Sequence, residues 1–402
     1  MKILFLTLSV ISSIEERDIY TDLMRKFRDE GHNLYIVSPT ERRNGQRTKL
    51  KKEKGVNILQ VWTLNIQKVN IFEKVVGTVS IDFQYLNAIN KYFKHIKFDL
   101  VMYSTPPITL TKVISEIKKR DGAKTYLLLK DIFPQNAVDL GMMQKNSLIH
   151  KFFRNKEKIL YRISDFIGCM SPANIDYLKT NNPQINPSII EENPNSIDIS
   201  KIIHKNIDCV EIRNQYQIPL DTTVFVYGGN FGKPQGLGFL LKVIKSNLNN
   251  SEVFFVLVGS GTEYYKINSW FEKNKPHNAL LMQNLPKQEY NKLLKSCDIG
   301  MIFLDKRFSI PNFPSRLLSY LENKMPVIAA TDPVSDIGFI AQENGFGFSV
   351  LNGDLESINR NIKKLSENKS QNKRMGQKGY DFMLKNFSAE RSYNIIISHF
   401  SN

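Results

Sequence analysis

Ile310-Pro-Asn-Phe-Pro-Ser-Arg-Leu-Leu-Ser-Tyr-Leu-Glu-Asn-Lys-Met-Pro-Val-Ile-Ala329 holds a loop, a helix start and a strand in one short stretch. Pro311 and Pro314 exclude a helix before Ser315, because each lacks an N–H donor and restrains the residue ahead of it. Ser315 is expected as N-cap, and Leu317, Leu318 and Leu321 give Arg316 to Glu322 an apolar face. Asn323 and Pro326 stop that helix, and Val327-Ile-Ala-Ala330 reads as a short buried strand. A proline-held loop entering a helix leaves backbone N–H groups open, which suits a phosphate. The same residues would also serve as a plain loop–helix–strand packing unit.

Upstream, the same theme recurs. Thr223-Val-Phe-Val-Tyr227 reads as a strand, followed by Gly228-Gly-Asn-Phe-Gly-Lys-Pro-Gln-Gly-Leu-Gly238 and a helix through Leu248. Glycines at 228, 229, 232, 236 and 238, with Lys233, allow amides and an ammonium to converge on a phosphate. No Gly-Lys-Ser/Thr follows, so this is not a P-loop. Val253 to Val258 with Gly259-Ser-Gly261 repeats the strand and glycine turn, and Leu280–Met282 and Ile299–Leu304 are further strands. Two glycine turns and a helix start, each after a strand, would share one sheet's carboxyl edge.

The first half has the same rhythm. A strand over 2–8, a helix from Asp18 to Glu30 closed by Gly31, and a strand over Asn33–Ser38 open a doubly wound α/β domain. No GxGxxG follows the first strand. Residues 42–54 carry seven basic side chains against Glu53 and read as a basic loop, either solvated or touching lipid headgroups or a diphosphate. Ile71 to Phe93 reads as one or two apolar helices bearing Phe72, Val75, Val76, Val79, Ile81, Phe83, Tyr85, Leu86 and Ile89. Core packing and interfacial docking are both open for it. Asp131 follows the buried strand Lys124–Leu129, where α/β proteins place active-site groups and where a plain surface aspartate is also common. Lys151 to Ile163 is a basic amphipathic helix. The shift to Asn, Pro, Ser and Ile around 182–200 marks a domain boundary.

Composition bounds the partners. The chain has 402 residues, enough for two domains, with 42% hydrophobic and 23% charged residues. Cys169, Cys209 and Cys297 are scattered and form no metal spacing, which suits a reducing cytoplasm. The apolar N-terminus lacks a basic n-region and a small-residue cleavage site, so a first buried strand explains it better than a signal segment. No run of 18 apolar residues predicts a membrane span. A formal net charge of +16 calls for a polyanionic partner, yet no zinc-finger or RNP signature supports nucleic acid.

The order of these pieces resembles the nucleotide-sugar-dependent glycosyltransferases of the two-Rossmann GT-B architecture, family 4, and is similar to the branch acting in bacterial capsule and O-antigen assembly. The resemblance rests on Gly31-His32, the Gly-Gly-Asn-Phe-Gly-Lys-Pro-Gln-Gly turn, Val258-Gly-Ser-Gly-Thr-Glu263, Ser296-Cys-Asp298, Pro314-Ser-Arg-Leu317 and Pro326-Val-Ile-Ala329. It implies two Rossmann-like doubly wound α/β domains facing each other across a cleft: an acceptor domain over 1–195, a donor domain over 196–385, and a C-terminal helix over 386–402 packing back on the first.

It further implies a retaining transfer without a catalytic metal or other cofactor, from a nucleotide-sugar (UDP-linked, with an amino sugar as one option). Lys233 and Arg316 would face the diphosphate, with Asp131 a polar contact to the sugar or acceptor. Gly229, Asn230, Gly232, Gly259, Leu285, Pro314, Ser315, Leu317 and Glu322 would line the donor. The acceptor would be a polyprenyl-diphosphate-linked saccharide, reached from the anionic inner face of the cell membrane by a cytoplasmic, peripherally bound protein.

Two departures stand out. Pro311 and Ser319 occupy the positions of the family's glutamate pair, the second of which usually holds the ribose, leaving Glu322 as a substitute one turn on. Ile14 and Glu15 replace the paired glycines after the first strand. The missing glutamates raise the alternative of a catalytically inactive partner subunit. A UDP-sugar 2-epimerase is disfavoured, because His32, His95, His150, His204, His277 and His399 fall in none of the motif loops.

Overall fold

The computed structural model describes residues 1–66, 71–202 and 208–400, with the backbone alone for 71–75, so the side chains of Phe72 and Val75, and all of His204, lie outside the described residues. The chain divides into two units: Met1–Asp198 with Ser388–Asn402, and Ile199–Phe387.

The first unit is built on an 8-stranded sheet. Its strands are β1 (Lys2–Leu6), β2 (Asn33–Glu41), β3 (Lys49–Glu53), β4 (Val56–Thr63), β5 (Leu100–Ser104), β6 (Lys124–Leu129), β7 (Phe166–Cys169) and β8 (Ile190–Glu192). They run in the order β3-β4-β2-β1-β5-β6-β7-β8, parallel except for the β3–β4 pair. Helices on both faces explain the unbroken apolar strands. Ile3 and Phe5 enter one core with Leu100 and Met102, while Leu4 and Leu6 enter the other with Val101 and Tyr103.

The basic segment departs from the expected loop. Arg42–Asn44 is a single 3₁₀ turn, and Lys49–Glu53 pairs antiparallel with β4. Lys54 and Gly55 both take positive φ (47° and 82°), the two-residue geometry that closes a hairpin. Lys49, Lys51 and Lys52 therefore line a sheet edge, where lysines deter pairing with another chain. Ile71–Tyr92 is one helix: Ile81, Tyr85 and Ile89 bury completely, while Val76 and Phe83 stay 57% and 52% exposed, so part of its apolar stripe is core and part faces solvent. Among the described residues, no helix is long and apolar enough to cross a membrane.

The second unit carries a 6-stranded, all-parallel sheet: β9 (Thr223–Asn230), β10 (Val253–Ser260), β11 (Ala279–Met282), β12 (Ile299–Phe303), β13 (Val327–Thr331) and β14 (Gly347–Leu351), ordered β11-β10-β9-β12-β13-β14. The chain steps outward from β9 to β10 and β11, then returns to β9's other side with β12. That reversal is where open α/β sheets bind ligands, beyond the carboxyl ends of the strands.

Candidate functional site

β9 and β12 pair only through Ile299↔Phe225 and Gly300↔Val226. Beyond Gly300 the Tyr320 side chain fills the gap: a Cβ on Gly300 would lie 2.4 Å from its ring. The Tyr320 hydroxyl accepts from Gly228 N (3.2 Å) and reaches the carbonyls of Val226 (3.3 Å) and Met301 (3.2 Å). One phenol thus satisfies backbone groups that the parted strands leave open.

Arg316 stands one turn before Tyr320 on the helix Arg316–Glu322, so both project to the same side. Its guanidinium lies 4.4 Å from the centre of the Tyr227 ring, and its Nη2 donates to Gln235 Oε1 at 2.8 Å. Nη1 is buried and makes no well-formed hydrogen bond among the described residues, with the Tyr227 side chain lying against the guanidinium. Burial opposes the charge, but Tyr227, Tyr320 and Tyr290 around it leave the pKa above the usual arginine value. A buried charged donor left open is costly, which marks the place an anion would occupy.

The glycine turn brings backbone up to this cation. Gly229 has φ 120°, and a Cβ there would stand 3.7 Å from Arg316 Cζ. A Cβ on Gly259 would fall 1.8 Å from Gly229 O, so β9 and β10 meet through bare backbone at this paired position near their carboxyl ends. Phe231 N donates to Ser260 O and Glu263 N to Phe231 O, both at 2.8 Å. Gly232 is buried, Asn230 and Lys233 are exposed, and Lys233 opens the 3₁₀ turn Lys233–Gln235 that presents Gln235 to Arg316. Asp305 N, just after β12, donates to Pro234 O at 2.9 Å and pins that turn from below.

The loop Ile310–Pro314 is tied on its far side. Asn312 N donates to Ser335 Oγ at 2.9 Å, and Ser335 Oγ donates to Asp332 at 2.8 Å. Asp332 is 1% exposed, and burial pushes its pKa up although the amides of Val334 and Ser335 donate to it.

One shared edge of the second unit thus holds Gly229, Asn230, Gly232, Lys233, Gly259, Pro314, Ser315 and Arg316. Leu285 sits half-buried in the loop after β11, which Asn284 Nδ2 ties to Ser260 Oγ at 2.9 Å. Two expectations need correction. Ser315 occupies the N-cap position with helical φ and ψ and makes no side-chain capping bond, so it does not cap the amides as expected. Leu317 is fully buried and its amide bonds to Pro314 O, which makes it a packing residue. Glu322 ends the helix that Arg316 begins, about 9 Å along the axis at 1.5 Å per residue. Gln235, Tyr227, Tyr290 and Tyr320 were not singled out. The i, i+4 spacing of Arg316 and Tyr320 was the one available signal.

Asp131 belongs to the first unit, just past β6. Thr105 Oγ1 accepts from the amides of Lys130 (3.0 Å) and Asp131 (3.2 Å) and donates to Asp131 O, fixing the bend. Asn136 Nδ2 donates to both carboxylate oxygens at 3.0 and 3.1 Å. Beside it Lys130 Nζ donates to Asn193 O at 3.2 Å, and burial lowers its pKa to about 7.

Residues 210–382 match the family model of Glycosyl transferases group 1. WbjE of Pseudomonas aeruginosa, named as a probable glycosyltransferase, is 22% identical over 284 residues, covering 67% of this chain and 66% of the relative. WcaI of Escherichia coli (strain K12), a glycosyl transferase named for colanic acid biosynthesis, is 22% identical over 270 residues, covering 63% and 64%. The matches thus span just under two thirds of these relatives' length. HepE of Anabaena, solved in complex with UDP, shares the fold at 13% identity with TM-score 0.70, covering 100% of this chain and 99% of that one.

Proposed function

We propose that this chain, whose residues 210–382 match the family model of Glycosyl transferases group 1, is a glycosyltransferase that takes its sugar from a nucleotide-sugar held by the second unit. The observation carrying this reading is the buried Nη1 of Arg316, without a well-formed hydrogen bond among the described residues and set beside the bare backbone of Gly229 at the point where the strand order reverses. Arg316 and Lys233 take the diphosphate. As the bond from the sugar's anomeric carbon to the diphosphate breaks, negative charge grows on the leaving oxygen. A fixed guanidinium in a water-poor setting stabilises that charge more than it stabilises the ground state. These two cations do the work that a metal ion does in other transferases, and no metal enters the proposed mechanism.

UDP is the donor nucleotide we propose, since HepE of the same fold is solved with UDP and with UDP-glucose. Transfer retains the anomeric configuration, and an amino sugar is one candidate donor. The acceptor is a polyprenyl-diphosphate-linked saccharide of capsule or O-antigen type, met at the inner face of the cell membrane. The colanic acid name of WcaI supports a polysaccharide product. Asp131, its two oxygens fixed by Asn136, is a polar contact for acceptor or sugar.

Calorimetric titration with UDP is the direct test. Binding by the wild type, with at least tenfold weaker binding by both Arg316→Ala and Lys233→Ala, is expected. Unchanged affinity in both variants would remove this site. Incubating labelled UDP-sugars with lipid extract, and reading the product's anomeric configuration by NMR, tests transfer and retention. UDP binding without product formation from any donor would favour an inactive partner subunit.

A further inference from the structure

The first unit exposes large apolar side chains in one place where its charges are positive. Helix Leu148–Ile163 begins with Ser147, whose side chain accepts from His150 N at 3.2 Å, and its first turns leave Leu148 86%, Ile149 54% and Phe152 41% exposed. Met142, in the loop before it, is 47% exposed. These residues sit on the outer side of the helix, while Phe153, Leu160 and Tyr161 pack inward.

The charges on this helix are sorted by burial. Glu157, its one carboxylate, is 3% exposed, pairs with Arg154 and accepts from Tyr161 Oη at 2.8 Å. Lys151, Lys158 and Arg162 are exposed, and so is Lys145 just ahead of the helix. Lys156 lies over the Phe152 ring at 6.0 Å and donates to Thr111 Oγ1 at 3.1 Å. Next to Thr111, Lys112 stands 4.3 Å over the ring of Phe83, itself 52% exposed. Two ring-and-lysine pairs on neighbouring helices thus continue the patch, with Glu116 an exposed carboxylate on the helix Thr111–Asp121.

We propose that Leu148, Ile149 and Phe152, flanked by Lys145, Lys151 and Lys156, dock this chain on an anionic bilayer surface. Apolar tips enter the acyl boundary while lysines reach the phosphates, the division of labour of an interfacial helix. An exposed apolar patch with a mostly cationic rim, Glu116 being the exposed carboxylate on the adjoining helix, suits a sheet of anionic headgroups better than a second copy of the same cationic surface, which would repel it. The lysine-rich β3–β4 hairpin exposes only Leu50 (42%) and Trp62 (38%) as large apolar side chains, fewer than the three at this helix start, of which Leu148 is 86% exposed. The proposal deepens the lipid-linked acceptor of the reading above and uses no residue of the donor site.

The test is co-sedimentation with vesicles of phosphatidylcholine alone or with one third phosphatidylglycerol, at low and high salt. Wild type is expected to pellet with the anionic vesicles, less so as salt rises, and only weakly with phosphatidylcholine. The triple variant Leu148→Asn/Ile149→Asn/Phe152→Asn, its folding checked by circular dichroism, is expected to lose at least tenfold in vesicle partitioning. Lys145→Glu/Lys151→Glu should lose a comparable factor on anionic vesicles only. Equal partitioning by wild type and triple variant overturns the proposal. So does a wild-type dimer that the triple variant dissociates without any vesicle binding, which would make the patch an interface between copies. UDP titration of the triple variant separates the two readings: it should match wild type, and absence of UDP binding in both would count against the donor site alone.

Discussion

Arg316 and Lys130 are two cations whose surroundings ask opposite things of them. Arg316 meets aromatic faces, one amide oxygen and an open side, so its planar fork is held with one arm engaged and one free. A lysine there would keep the charge and lose the fork. Arg316→Lys should therefore weaken UDP binding about tenfold or more, because the Gln235 bond and the second arm cannot be made together by a compact ammonium. Wild-type affinity in this variant, measured by calorimetry, would reduce the role of Arg316 to net charge.

Lys130 carries the opposite pressure: burial lowers its pKa from 10.5 to about 7. Between those values the unfolded chain binds a proton that the folded chain does not, so this lysine makes stability rise with pH from about 7 to about 10. Below 7 both states hold the proton and the penalty of burying the ammonium is fully present. Urea unfolding at pH 7 and pH 9.5 should show wild type gaining stability relative to Lys130→Met. Equal changes in both would mean that the amine stays charged in the fold. The lysine itself was visible in the sequence beside Asp131, but its burial depends on Asn193 and its neighbours, which lie far along the chain.

At the scale of elements, the strands were legible because apolar runs buried on both faces have one reading, and the glycine turns because their spacing follows those strands. β3 was not legible. Its burial is slight, its composition is that of a solvated loop, and only pairing with β4 makes it a strand. The Tyr320 wedge was hidden because it depends on two strands parting after two paired positions, a property of neither strand alone. Tyr320→Phe should strip the acceptor from Gly228 N and the one O–H donor that the Val226 and Met301 carbonyls share, without opening a cavity, lowering stability by about 1–3 kcal/mol in denaturant unfolding. Gly259→Ala should be worse for function than for folding yield. Its methyl meets Gly229 O, a backbone atom that can yield only by moving the turn beside Arg316. Loss of UDP affinity in a folded Gly259→Ala protein is the expected result, and unaltered affinity would show that the turn tolerates displacement.

At the scale of the whole molecule, the chain leaves its first unit at Asp198 and comes back to it at Ser388. Ala389 N donates to Ile197 O at 2.8 Å, so the return begins where the first unit ends. Helix Ala389–Ile397 then lies on helix Ile19–Asp29: Tyr393 meets Phe27 at 4.9 Å and His32 Nε2 at 3.1 Å, and Ile396 is 0% exposed in the core beneath. His399 stacks on Phe166 at 3.7 Å and reaches Glu191 at 3.0 Å. The tail is thus part of the first unit's core, although it follows the second unit in sequence. Ending the chain after Phe387 would uncover Ile396's pocket and strip Phe27, a loss of about 3 kcal/mol or more from side-chain burial. For a unit of this size that is roughly 6–12 °C in Tm. Because the second unit keeps all its residues, the damage should be one-sided. Amide exchange in Ile19–Asp29 and Lys2–Leu6 is expected to quicken while Thr223–Asn230 keeps its protection. Equal loosening of both sheets would mean that the tail stabilises the two units jointly, and no change would mean that Phe27 and its neighbours find another cover.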